Sequence, residues 1–392
     1  MKIYSEELKK IKDICEINPK QEILDDNFII SFVGMAQISN DNQFDTSILK
    51  KYEDVKKGFS SFKDGDILFA KITPCMENGK GVLIENLYNG IGFGSTEFHV
   101  LRPNIEVVDR KYLYWFTMYK KFRLNCEKNM TGSAGQKRVP KNYIENYEIK
   151  LPKLIIQEKR AKILDTILRI KKEKLEQIEK LEELSKCLFI KMFKENYDKK
   201  NWENFSLEEI VEICSSKRVF LDQIVMKGID FYRGTEIGLL SEGKKIEPKL
   251  FITKEHYENL IAETGKPKIG DLLLPSICND GKIWYVNTEK PFYFKDGRVL
   301  WIKESDKVKG KFLQYFLRNE FLMNYKKIAS GTTFSELKIF SLKKMKVKLP
   351  PIELQNQFAE RVKMIEKSKF EIQKSIEETQ KLFDSLMEKY FG

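Results

Sequence analysis

The chain has 392 residues, of which 70 are Lys or Arg, 58 are Asp or Glu and only 2 are His, for a formal net charge of +12. Its 42% hydrophobic and 12% aromatic content exclude a disordered chain and suit two or more domains. No run approaches the roughly 18 apolar residues of a membrane-spanning helix, and the cationic, His-poor composition points to a polyanionic partner more than to hydrolytic catalysis.

From the start of the chain, Met1 to Leu8 shows no apolar stretch behind a basic start, so a secretory signal is not read and a cytoplasmic location is expected. Residues 1–151 read as a first mixed α/β or α+β domain. Asp66–Ile72 and Gly81–Glu85 are short β-rich runs set off by Gly, Asn and Asp. Helical spacing follows near 110–125, where Tyr112, Leu113, Trp115 and Phe116 are expected in the core. Its loops carry Lys71, Thr73, Asn78 and Lys80, then Ser95 and Thr96, then Ser133, Gln136, Lys137 and Arg138. Gly lets a backbone approach closely, hydroxyls and amides suit phosphate oxygens, and Gln, Asn, Arg and Lys can read base edges.

Residues 152–196 are expected to form a long amphipathic helix. From 158 to 194 there is neither Pro nor Gly, and Leu164, Ile167, Leu168, Leu175, Ile178, Leu181, Leu184, Leu188 and Met192 make one apolar stripe. Residues 197–350 read as a second mixed domain, with a β run at Ile283–Val286 and a helix near 310–325 whose Phe312, Leu313, Tyr315 and Phe316 echo the first domain. Its candidate DNA-contacting residues are Ser276, Lys282, Arg298, Thr332 and Thr333. Residues 351–392 form a second long helix in which Phe358, Val362, Ile365, Lys369, Ile372, Ile376, Thr379, Phe383, Leu386 and Tyr390 alternate by four and three. That period is a coiled-coil seam. The two helices are expected to pair with each other, Leu164, Ile167, Ile178, Leu181 and Leu188 against Val362, Ile365, Ile372, Ile376, Phe383 and Leu386, with Lys171 and Lys369 at one shared seam position.

The chain repeats itself. Lys150-Leu151-Pro152 recurs as Lys348-Leu349-Pro350, an offset of 198, and Gln157, Ala161 and Phe193 recur as Gln355, Ala359 and Phe391. Over this helical segment about a third of the positions are identical, against less than about a tenth by chance. Upstream, Gly65-Asp66-Ile67-Leu68 returns as Gly270-Asp271-Leu272-Leu273. The chain is therefore two copies of one domain-plus-helix unit.

Catalytic signatures are missing. There is no phosphate-binding Gly-rich loop with a Lys-Ser/Thr end, no Gly-x-Ser-x-Gly elbow and no amino-methyltransferase tetrapeptide. Cys15, Cys75, Cys126, Cys187, Cys214 and Cys278 are scattered and expected as buried thiols, and neither His99 nor His256 sits in a metal pattern. A nuclease-like set can be drawn through Asp230, Glu247 and Lys249. A stand-alone nuclease, or a coiled-coil scaffold with no DNA role, is the alternative to a DNA reader.

The layout resembles the specificity subunit of type I restriction-modification systems. Gly65–Ile72, Gly94–Pro103, Thr131–Val139 and Leu349–Gln355 are similar to that family's recurring signatures, while Gly331–Lys338 stands where the second half would carry a Gln-Lys-Arg loop. The resemblance implies two globular target-recognition domains separated by two long antiparallel coiled-coil helices, with a pseudo-twofold repeat. It further implies a non-catalytic reader of a bipartite, asymmetric double-stranded DNA target. The implied partners are two methyltransferase subunits, which supply S-adenosylmethionine and modify adenine, and restriction subunits. No cofactor or metal is expected on this chain itself.

Overall fold

A computed structural model describes residues 6–39, 43–133, 135–195, 201–278, 280–328 and 336–392. The chain divides into two units, one comprising Met1–Leu175 with Lys374–Gly392 and the other Glu176–Gln373. Both dividing points fall inside long helices, Leu154–Phe189 and Ile352–Phe391.

In unit 1 an antiparallel sheet runs in the order Cys15–Ile17, Phe98–Pro103, Ile67–Ala70, Gly81–Leu83. Ile67-Leu-Phe-Ala70 is buried at every position, as a central strand covered on both faces requires. The second sheet runs Leu49–Lys51, Ile29–Val33, Ile91–Gly94, Ser60–Lys63, with its middle pair parallel. Gly92 is obligatory there, since a Cβ at this position would lie 2.2 Å from the Phe62 ring. Tyr112, Leu113, Trp115 and Phe116 are all buried, on the helix Arg110–Met118 whose first turn is capped by Asp109.

Unit 2 repeats the plan. One antiparallel sheet runs Ile213–Cys214, Val299–Ile302, Leu272–Pro275, Trp284–Tyr285. The other runs Phe251–Ile252, Ile229–Tyr232, Phe292–Phe294 and again contains one parallel pair. In both units a short strand leading into the domain pairs with the strand preceding a long helix, Glu7–Lys10 with Glu148–Leu151 and Asn204–Ser206 with Lys346–Lys348.

The residues that carry the sequence repeat do identical work in each unit. Gln157 is fully buried, accepts the Asp109 N–H at 2.9 Å and donates to the carbonyls of Val107 and Pro152 at 3.1 and 2.8 Å. Gln355, equally buried, accepts the Lys309 N–H at 2.9 Å and donates to Lys307 and Pro350 at 3.2 and 2.9 Å. Each amide locks the first turn of a long helix to the loop before a domain helix, satisfying backbone groups that burial would otherwise orphan. Asp66 and Asp271 likewise accept the N–H groups of Lys63 and Lys268, at 2.8 and 2.9 Å, to close one turn twice.

Within unit 1, Lys171 donates to Gln380 at 2.6 Å, and Lys174 donates to Ser375 and Thr379 at 2.8 and 2.9 Å, so the two helices run antiparallel. In unit 2, Lys369 pairs with Glu182 at 2.8 Å. Leu164, Ile167, Val362 and Ile376 are buried, and Ile178, Leu181, Leu188, Ile365, Ile372, Phe383 and Leu386 are half-buried. The expected stripe was too wide. Leu175 and Leu184 are 44% and 52% exposed, because a two-helix seam covers only a narrow face and Lys171, Lys174 and Thr379 take the middle of it.

Candidate nucleic-acid interface

In unit 1 the strands Ile67–Ala70 and Phe98–Pro103 end side by side, with Ala70 paired to Phe98. The loops 71–80 and 95–97 leave the sheet from that end. The segment 131–138 is sewn to them: Ile72 bridges Arg138, the Thr73 N–H donates to the Lys137 carbonyl at 3.0 Å, and the Val139 N–H donates to Lys71 at 2.9 Å. Thr131 and Arg138 exchange hydrogen bonds of 2.9 and 2.8 Å, which closes the neck of a narrow hairpin. Gly132 has φ +122°, and a Cβ there would meet the Gln136 carbonyl oxygen at 2.9 Å. The tip therefore needs glycine.

The structure sorts the candidate side chains into braces and free groups. Arg138 is a brace: it grips Glu97 with two bonds of 2.9 and 2.7 Å and the Gln136 carbonyl with a third of 3.0 Å. Its hydrogen bonds hold the Glu97 carboxyl below the usual range, and burial moves the Lys71 ammonium down from its ordinary value. Thr73 donates to Glu77 at 2.7 Å, Lys80 donates to the Met35 carbonyl at 2.9 Å, and the Ser95 hydroxyl accepts the Glu97 N–H at 3.1 Å. Asn78, Thr96, Ser133, Gln136 and Lys137 are exposed.

Behind the hairpin lies His99, 3% exposed. Its Nε2 donates to the Val139 carbonyl at 2.8 Å and its Nδ1 accepts from the Asn18 amide at 3.2 Å. Burial pushes the imidazole down to about 4, so it is neutral at pH 7. Nothing in its sequence neighbourhood signals this role, since Asn18 and Val139 are distant in the chain.

Unit 2 places its loops at the matching sheet end, where Pro275 pairs with Val299. Lys282 pairs with Asp280 and Glu242 at 2.9 and 3.1 Å, which pushes its ammonium up to about 12. Arg298 pairs with Glu336. Ser276, a candidate DNA contact, is buried instead: its N–H donates to the Arg298 carbonyl and its own carbonyl accepts the Leu337 N–H, at 2.9 and 2.7 Å. Thr332 and Thr333 lie outside the described residues.

The nuclease-like set is divided between a strand and a loop. Asp230 is buried on a strand with its carboxylate held by Lys290 at 2.6 Å and Tyr232 at 3.2 Å, whereas Glu247 and Lys249 are exposed on a loop. Among the described residues no group of three or more His, Cys, Asp and Glu could hold a metal ion. Cys15, Cys126 and Cys278 are buried thiols, but Cys187 is exposed on the solvent face of its helix. No helix among the described residues is long and apolar enough to cross a membrane.

A family model described as the type I restriction modification DNA specificity domain matches residues 6–180 and again 199–381. The chain is similar to the type I restriction enzyme EcoAI specificity subunit of Escherichia coli, 49% identical over 149 residues, which are 37% of this chain and 25% of that protein. It thus spans about a quarter of the length of that relative. The MjaVIII specificity subunit of Methanocaldococcus jannaschii is 27% identical over 299 residues, 70% of this chain and 68% of that protein. Among solved structures, the S subunit of a type I restriction-modification system from M. genitalium superposes with a TM-score of 0.60 at 16% identity, covering 100% of this chain and 97% of that one. At that identity the likeness speaks to the fold.

Proposed function

The chain belongs to the type I restriction modification DNA specificity family, and from that premise we propose that it is the DNA-reading subunit of a type I restriction-modification complex. Each unit reads one half of a split, asymmetric double-stranded target. The paired long helices set the gap between halves and carry two methyltransferase subunits, which bring S-adenosylmethionine and reach the adenine by flipping it from the stack. Restriction subunits complete the assembly. The chain itself is non-catalytic and works in the cytoplasm.

The observation that carries this reading is the duplicated sheet end. Two sheets of one topology each project their loops from one end, and in unit 1 a braced hairpin presents Ser133, Gln136 and Lys137 outward. Such a tip has the donors for base edges and phosphates and no cluster for bond-breaking chemistry. Two linked readers with separate tips suit a target in two parts.

The test is adenine methylation of a genome-mapped target. The full chain mixed with its methyltransferase subunits is expected to direct methylation to one bipartite sequence, and the chain alone is expected to transfer no methyl group. Methyl transfer by the chain alone, or methylation without sequence preference in the mixture, overturns the proposal.

A further inference from the structure

Two arginines withdraw their guanidinium groups from water, and each sits beneath a loop at the reading end of its own unit. Arg123, on the helix Lys120–Lys128, is 7% exposed, lies 4.8 Å from the Phe69 ring centroid and donates from Nη1 to the Met76 carbonyl in loop 71–80 at 2.8 Å. Its Nε is buried without a partner. Arg318, half-buried on the helix Gly310–Ile328, donates from Nη2 to the carbonyls of Ile283 and Ser241 at 3.1 and 3.3 Å. Ile283 closes the loop between the strands Leu272–Pro275 and Trp284–Tyr285, the counterpart of loop 71–80 between Ile67–Ala70 and Gly81–Leu83. Among the described residues no carboxylate lies within ion-pair distance of either guanidinium; Glu366 and Glu182 act on Arg318 only from farther away.

The two arginines do not correspond in the repeat. Phe116 and Phe316 are equivalent, so Met118 stands where unit 2 has Arg318. Arg123 reaches back to that same place, its Nη2 lying 3.2 Å from the Met118 sulfur. A feature merely inherited through duplication would keep its sequence position. Here two different positions deliver a cation to one location, which marks the location as the thing that matters.

A cation drawn out of water without a direct ion pair is costly, and a neutral donor would satisfy a carbonyl as well. Burial brings the Arg123 guanidinium down to about 10 and lowers that of Arg318 too, so each pays for withdrawal from water. A fixed positive charge beneath the loop is repaid when a polyanion lies over it, because the low-dielectric interior screens it weakly.

We propose that Arg123 and Arg318 are positioning residues for DNA reading, each holding its unit's loop through backbone carbonyls and setting a fixed positive charge behind it. The inference rests on the two-half-site reading of function. It is tested with the full chain and its methyltransferase partners, by measuring methylation on the mapped target and on single mismatches in each half, with thermal unfolding alongside. Arg123→Met is expected to lose about tenfold in discrimination at one half-site with the other unchanged, and Arg318→Met to do the reverse. Arg123→Lys and Arg318→Lys, which keep charge and one donor, are expected to recover part of each loss at the same half-site, and they decide the matter where a Met variant does not fold. Equal losses at both half-sites, or none at either, while the wild type still reads a split target, overturn the inference alone. A wild type with no split target removes the functional reading and this inference with it.

Discussion

At the residue scale, His99 shows how a single buried group ties a hairpin to its sheet. The Asn18 amide oxygen accepts the Val100 N–H at 2.9 Å, so its nitrogen must face the imidazole Nδ1. Protonating His99 would set two donors against each other, which agrees with its depression from 6.5 to about 4. The unfolded chain binds this proton at the higher pH, so the contribution is complete above about 6.5 and is lost as pH falls toward 4. The shift corresponds to about 3 kcal/mol. Denaturant unfolding between pH 7 and 4 is expected to show a loss of this order, and His99→Leu to flatten that interval even if it lowers stability throughout. An unchanged pH profile in the variant would show that His99 does not titrate with folding. Only the residue type was legible here. The sequence shows two isolated histidines, and no local pattern tells a buried strut from a solvated one, because Asn18 and Val139 meet His99 only through the fold.

At the scale of elements, the long helices were the most legible part of the chain, since a sustained 3.5-residue period means one thing over forty residues and another over eight. Their polar middle was legible only in part. The period places Lys171 and Lys369 in the seam, yet their partners, Gln380 and Glu182, belong to the opposite helix and follow from its antiparallel register. Those contacts bracket a stretch in which one heptad can be removed from each helix while the seam face is kept. Matched seven-residue deletions between the Lys171–Gln380 and Lys369–Glu182 contacts are expected to shorten the helices by about 10 Å. On the proposed function, that is about three base pairs less between half-sites. The expected methylation map has a shorter gap and the same two halves; an unchanged gap would mean that the helices do not act as the spacer.

At the scale of the whole molecule, the net charge of +12 is a poor guide to where a polyanion would bind. Many cations are already consumed: Arg138 by Glu97, Lys282 by Asp280 and Glu242, Arg298 by Glu336. Lys137 is exposed at the hairpin tip. Binding to the mapped target is expected to weaken steeply with salt, and Lys137→Ala to reduce the slope of log affinity against log salt by about one if this ammonium meets a phosphate. Gln136→Ala is expected to leave the slope alone and to cost about 1–3 kcal/mol of discrimination at one half-site. A salt-independent affinity would argue against phosphate contact altogether.

By itself the sequence determined the duplication, the alternation of domain and helix, the core aromatics and the existence of polar loops at corresponding places, because each of these is written in local composition or in a fixed offset. Tertiary structure alone decided which loop residues are free. Arg138 and Gln136 are neighbours of similar character in the chain, but one is spent on Glu97, forty-one residues away, and the other faces solvent. That choice depends on which strands end side by side, and strand pairing is a long-range property that no window of sequence contains.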